Sequence, residues 1–100
     1  MMIGKRLEAY TIKRPQEVLL VTIENEGETD EIAIFKGFSS SLMQPTNPDP
    51  DIPVISEQAV ITRIDRLKSP YNPNQPNYIQ QGLTLEEMEP LLEELGIFRA

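Results

Sequence analysis

The chain has no cysteine and no histidine among its 100 residues, and those two absences remove whole classes of chemistry. Without cysteine there is no disulfide, no thiolate nucleophile and no thiolate-bound zinc or iron–sulfur site. Without histidine, Ser-His-Asp and Cys-His arrangements cannot form, and the commonest general base near neutral pH is missing. Catalysis would have to rest on carboxylates, Lys, Ser, Thr or Tyr, so the reading leans away from an enzyme and expects no cofactor. Long apolar runs are missing as well. The longest, Val18 to Val21, is far short of a membrane span. The start, Met1-Met2-Ile3-Gly4-Lys5-Arg6, lacks the apolar stretch of a secretory signal. Cytoplasm, or an organelle stroma after processing, is the expected compartment.

Positive charge is scarce. Nine Lys and Arg stand against sixteen Asp and Glu, for a net charge of −7. That balance favours solubility and opposes a sequence-independent grip on phosphate backbones, which depends on Lys and Arg. The charges are also unevenly spread. Lys5, Arg6, Lys13 and Arg14 face only Glu8 in the first sixteen residues, whereas Glu17, Glu24, Glu26, Glu28, Asp30 and Glu31 follow without a base. A length of 100 residues suits a single domain spanning 1–100 with one thin core.

Apolar patterning suggests an α+β fold. Glu17 to Ile23 is rich in aliphatic and β-branched residues and reads as a strand. A second strand is expected at Glu31 to Phe38. The polar segment Glu24 to Asp30 between them should form a loop of several residues, not a tight two-residue turn. A third strand, Ala59 to Leu67, carries Arg63, Asp65 and Arg66, as on a sheet with one wet face. Leu7 to Lys13 is read as an N-terminal strand, against a competing helical spacing of Ile3, Leu7 and Tyr10. The C-terminus is a helix: Thr84 and Glu87 form a capping box, and Leu85, Met88, Leu91, Leu92 and Leu95 form one apolar stripe before Gly96. Pro90 should kink or restart it. The expected architecture is a curled antiparallel sheet of about four strands with this helix packed on one face. Two proline-studded stretches, Ser39 to Ser56 and Ser69 to Leu83, should lie outside the core as long loops.

Four groups of residues invite a functional reading, each beside a plainer one. Asp49 and Asp51 lie near enough in sequence to share a hard cation, yet the further ligands of a calcium loop are not in register, and a proline-fixed turn explains them. Gly37-Phe38-Ser39-Ser40-Ser41 follows a strand as a phosphate cradle would. It lacks Gly-rich spacing and a following Lys, so a strand end with Gly37 at a bulge or close approach fits better. Tyr71, Asn72, Asn74 and Tyr78 combine aromatic area with amide hydrogen bonding, the composition of adaptable recognition loops; equally, the rings would pin the loop to the sheet. Lys36, Arg63, Arg66 and Lys68, joined by Tyr10 or Phe35, would suit single-stranded RNA on a sheet. The net charge argues against that, and a solvated face paired with acids is the alternative.

The segments Ile34-Phe35-Lys36-Gly37-Phe38-Ser39-Ser40-Ser41-Leu42, Ile64-Asp65-Arg66-Leu67, Pro70-Tyr71-Asn72-Pro73 and Gly82-Leu83-Thr84 resemble a small protein family of cyanobacteria and plant plastids with no assigned activity. The resemblance runs from about Leu7 to Ile97. It implies cytoplasm or plastid stroma and brings no functional residues with it. The leading functional expectation is a non-catalytic protein-interaction module presenting the two Pro-rich loops to a protein partner. The alternatives are RNA binding by the Arg63, Arg66 and Lys68 face, and a small-ligand site or carboxylate-dependent enzyme wherever acids converge on a pocket.

Overall fold

The computed structural model describes residues 2–43 and 53–98. Asp49 and Asp51, and with them the cation reading, lie outside the described residues. The elements in chain order are α1 (Ile3–Lys13), β1 (Glu17–Asn25), β2 (Glu28–Phe35), β3 (Phe38–Ser41), β4 (Val60–Lys68), β5 (Tyr78–Leu83) and α2 (Leu85–Glu94). All strands are antiparallel in one five-stranded sheet of order β3-β2-β1-β4-β5. The fold is α+β, with both helices on the same face.

The N-terminal segment corrects the strand expectation for Leu7 to Lys13. It is a helix because Ile3, Arg6, Leu7 and Tyr10 recur every three or four residues and so line one stripe. That stripe rests on β1 and β2, with Leu7 and Tyr10 fully enclosed.

The β1–β2 connection is another correction. Asn25 pairs with Glu28, and Glu26 and Gly27 between them have φ of 54° and 82°. Positive φ at both central residues is the mark of the tight two-residue turn whose twist matches the strands. The same device recurs at Lys36-Gly37 (φ 49° and 86°), where Phe35 pairs with Phe38. The expected strand Glu31 to Phe38 is therefore two strands folded about Gly37. A Cβ on Gly37 would stand 2.8 Å from the Ile12 side chain, so α1 also needs a glycine there.

Strand alternation makes β1 the centre of the molecule. Leu19, Val21 and Ile23 join Ile32, Ile34 and Ile64 on the helix-covered face, together with Met88 and Leu92 of α2. Ile55 is buried in the same cluster and Val54 packs against it, so the first proline-studded stretch enters the core instead of staying wholly outside. The second contributes β5, an exposed edge strand that ends on buried Leu83.

α2 starts as expected. Thr84 Oγ1 accepts from the Glu87 amide at 3.1 Å, while Glu87 Oε1 accepts from the Thr84 amide at 3.0 Å. It runs as one element through Pro90, without a restart. The hydrogen bond that proline removes would have ended on the carbonyl of Glu86, an exposed residue that water can reach. Beyond α2, Gly96 (φ 76°) turns the chain. The Gly96 and Ile97 amides donate to the Glu93 and Leu92 carbonyls, and buried Ile97 folds back into the core.

Candidate binding surface

The covered face carries two polar assemblies that hold the helices in place. Arg6, buried on α1, donates Nη1 and Nη2 to Glu89 Oε1 and Oε2 of α2, each at 2.7 Å, and Nη2 also reaches the Ile97 carbonyl at 3.2 Å. Such a two-pronged pair is the strong form of the interaction, and the hydrogen bond to Glu89 raises the Arg6 pKa. At the start of β1, Glu17 accepts from the Tyr10 hydroxyl at 2.8 Å and from Arg66 Nε at 2.9 Å, while Arg66 Nη1 reaches Gln80 Oε1 at 2.9 Å. Burial first, then donation to Glu17, pushes the Tyr10 hydroxyl up to about 12. Sequence reasoning missed both assemblies. The signal was that Arg6 and Tyr10 share the stripe of Leu7 on a helical reading.

The opposite face has no helix. By alternation it carries Val18, Leu20 and Thr22 of β1, paired with Leu67, Asp65 and Arg63 of β4; Ala33 and Glu31 of β2 pair with Leu20 and Thr22. Leu67 pairs in turn with Tyr78 of β5. Asp65 holds the outer strand: its Oδ1 accepts from the Gly82 amide at 2.8 Å and from Arg63 Nε at 2.9 Å, and the bond to Asp65 raises the Arg63 pKa. The loop 69–77 joins β4 to β5 and is closed at its base by the Lys68 amide, which donates to the Asn77 carbonyl at 2.9 Å. Burial raises the Tyr71 hydroxyl pKa, with further contributions from Glu31 on β2 and Tyr78 on β5. Val18, Leu20 and Leu67 are buried on this helix-free side.

The expected site residues thus fall into separate places. Tyr71 is half-buried and in electrostatic reach of Tyr78, which is 38% exposed. Asn72 and Asn74 are exposed at the loop tip, where Asn72 Oδ1 accepts from the Asn74 amide at 3.0 Å. These four belong to one stretch of chain, the β4–β5 loop and the first residue of β5. The four cations do not. Arg63 is on the open face, Arg66 is on the covered face and engaged with Glu17, and Lys68 ends β4 in solvent. Lys36 sits in the β2–β3 turn with Nζ 5.2 Å from the Phe35 ring centroid. The phosphate-cradle reading finds its first amide already used, since Gly37 N–H donates to Thr11 Oγ1 at 2.9 Å. Ser39 and Ser41 donate to Glu8 and Asp30.

Acids do converge at one place. Glu26, Glu28 and Asp30, with Asn25, Ile23 and Val54, line a cleft of about 210 Å³ at the β1–β2 turn. That is below the size of an ordinary small-molecule pocket, and Asp30 already accepts the Ser41 hydroxyl at 2.8 Å. Among the described residues, no group of three or more acids stands close enough to hold a metal ion. No described helix is long and apolar enough to cross a membrane.

What the fold defines, then, is an α+β protein with a five-stranded antiparallel sheet, two helices on one side and no described helix on the other. Within that class, the chain belongs to the family described as "Domain of unknown function (DUF7734)", whose model matches residues 4–92. No curated protein and no solved structure matches the chain.

Proposed function

We propose that this is a non-catalytic protein-binding module whose recognition surface is the loop 69–77 together with the open sheet face beneath it. The observation that carries the reading is that Tyr71 is half-buried and in electrostatic reach of Glu31 and Tyr78, while Asn72 and Asn74 of the same loop remain exposed. A tyrosine held this way offers rigid apolar area at small entropic cost, and neighbouring amides add adaptable hydrogen bonds. The acids and cations nearby support binding more than chemistry. Arg63 is committed to Asp65, and Asp65 is further committed to a backbone amide.

The test is affinity capture from native extract with quantitative mass spectrometry, comparing the parent with a Tyr71→Ser, Tyr78→Ser double variant of unchanged circular dichroism. A protein held by the parent should be depleted at least about tenfold from the variant, because two aromatic anchors each carry about 1 kcal/mol or more at an interface. Its affinity for the purified parent should follow the same order. Identical protein sets on both baits would overturn the reading.

A further inference from the structure

Among the described residues, the cations outside ion pairs share one end of the molecule. The sequence holds nine Lys and Arg, of which Arg99 lies outside the described residues. Lys5, Arg6, Arg63 and Arg66 are in ion pairs. Among the described residues that leaves Lys13, Arg14, Lys36 and Lys68 without one.

The topology brings these four together. Lys68 ends β4 opposite Glu17, the first residue of β1. Arg14 lies just before it, its carbonyl accepting the Glu17 amide at 3.0 Å, and the Ser69 amide donates to Gln16 at 2.9 Å. Lys36 occupies the turn that follows β2, whose Ile34 pairs with Leu19, and this turn touches Thr11 and Ile12 at the end of α1. Lys13 is there too, its Nζ donating to the Leu95 carbonyl at 2.6 Å. Glu17, the acid in this register, is already bound to Arg66 and Tyr10. Glu93 and Glu94 in the last turn of α2 bound the patch on the Lys13 side.

Two large apolar side chains are exposed at this end, one on each side of the Lys36-Gly37 turn: Ile12 of α1 at 62% and Phe38, the residue closing the turn, at 78%. Glu8 lies beside Ile12 and Gly37 as well, but it is paired with Lys5 at 3.3 Å and accepts from Ser39 at 2.7 Å. Protruding apolar groups beside unpaired cations suit a layer with an anionic surface and an apolar interior. The acids of the hairpin, Glu24, Glu26, Glu28 and Asp30, lie at the far end of β1. That is about 25 Å away at roughly 3.3 Å per residue, beyond the Debye length of about 8–10 Å. A planar surface meets the basic end without meeting the acidic one. A long flexible polyanion would meet both.

We propose that this end, Lys13, Arg14, Lys36 and Lys68 around Ile12 and Phe38, is a peripheral docking surface for an anionic lipid bilayer. It is separate from the Tyr71 surface and does not depend on it.

The experiment is cosedimentation of the full chain with phosphatidylcholine vesicles, with and without about 30% phosphatidylglycerol, the fraction that sets the surface potential. Binding is expected to the anionic vesicles only, weakening as salt rises. Removing Lys36 and Lys68 as Lys36→Asn with Lys68→Glu should lower the partition coefficient by about 25-fold or more, about fivefold per cation. Phe38→Ser should lower it by about tenfold at unchanged charge. Both variants should melt like the parent, since the substituted side chains are exposed. Equal retention by neutral and anionic vesicles, or undiminished retention of either variant, would overturn the proposal. So would tighter binding of a single-stranded oligonucleotide with the same dependence on Lys36, Lys68 and Phe38, which would make the end a nucleic-acid surface.

Discussion

The two faces of the sheet are built from the same strands and differ in what completes them. On the covered face, Leu19, Val21, Ile32, Ile34 and Ile64 are sealed by helices whose own apolar stripes, Leu7 with Tyr10 and Met88 with Leu92, are equally buried. On the open face, Val18, Leu20 and Leu67 are buried too, but no described helix seals them, and the adjoining loop 69–77 makes few backbone hydrogen bonds. An element with few such bonds opens at lower free-energy cost than a packed helix. The covered face is therefore where stability should concentrate, and the open face with its adjoining loop is where local opening should cost least. β1 serves both, which is why its run Val18 to Val21 is apolar without alternation.

The sharpest way to break this contrast is to empty a position under α2. Leu92→Ala deletes a fully buried side chain between helix and sheet and should cost about 2–5 kcal/mol by chemical denaturation. A loss below about 1 kcal/mol would show that α2 is no more essential than the loop. The next effect is a matter of pH. The Tyr10 hydroxyl has its pKa raised in the folded state from 10.0 to about 12, by burial and by its bond to Glu17. A raised folded value means the stabilisation is complete below about pH 10 and is lost as the pH climbs through about 12. The loss is on the order of 2–3 kcal/mol across that window. Denaturation curves of the parent and Tyr10→Phe, measured at pH 9 to 12, should converge as the pH rises. Parallel curves would mean that the hydroxyl adds nothing of this kind.

Legibility in the sequence followed local determinism. The Thr84–Glu87 box and the stripe of α2 are decided by neighbours three and four residues apart, and they appear where expected. The same holds for the β1 run. The N-terminal segment was harder: Tyr10, Thr11, Ile12 and Lys13 suit either element, and the choice is made by distant partners, Glu89 for Arg6 and β2 for Leu7. Both tight turns use a charged residue at positive φ before glycine, Glu26 and Lys36, in place of the more recognisable Asn or Asp. β3 and β5 are edge strands whose residues are mostly half-buried or exposed, so they leave little apolar signature. One miss was avoidable. Arg63 and Arg66 are three apart on a strand, and alternation alone sends them to opposite faces. The half-burial of Tyr71 was not legible, because it depends on the path of the irregular loop 69–77 and not on neighbours in sequence.

That path defines the smallest predicted effect. Tyr71→Ser removes a half-buried ring from the open face, where the exposed loop around it can relax into the space. The cost should therefore be below about 1 kcal/mol, well under that of a core truncation. Amide hydrogen exchange should locate the change: faster exchange in β5 and the loop, with β1 and β2 protected as before. Were Tyr71→Ser instead to destabilise as much as Leu92→Ala, the loop would be a structural roof equivalent to the helices. A partner could then reach Val18, Leu20 and Leu67 only by unfolding it, and the case for Tyr71 as a presented anchor would fail with the contrast between the two faces.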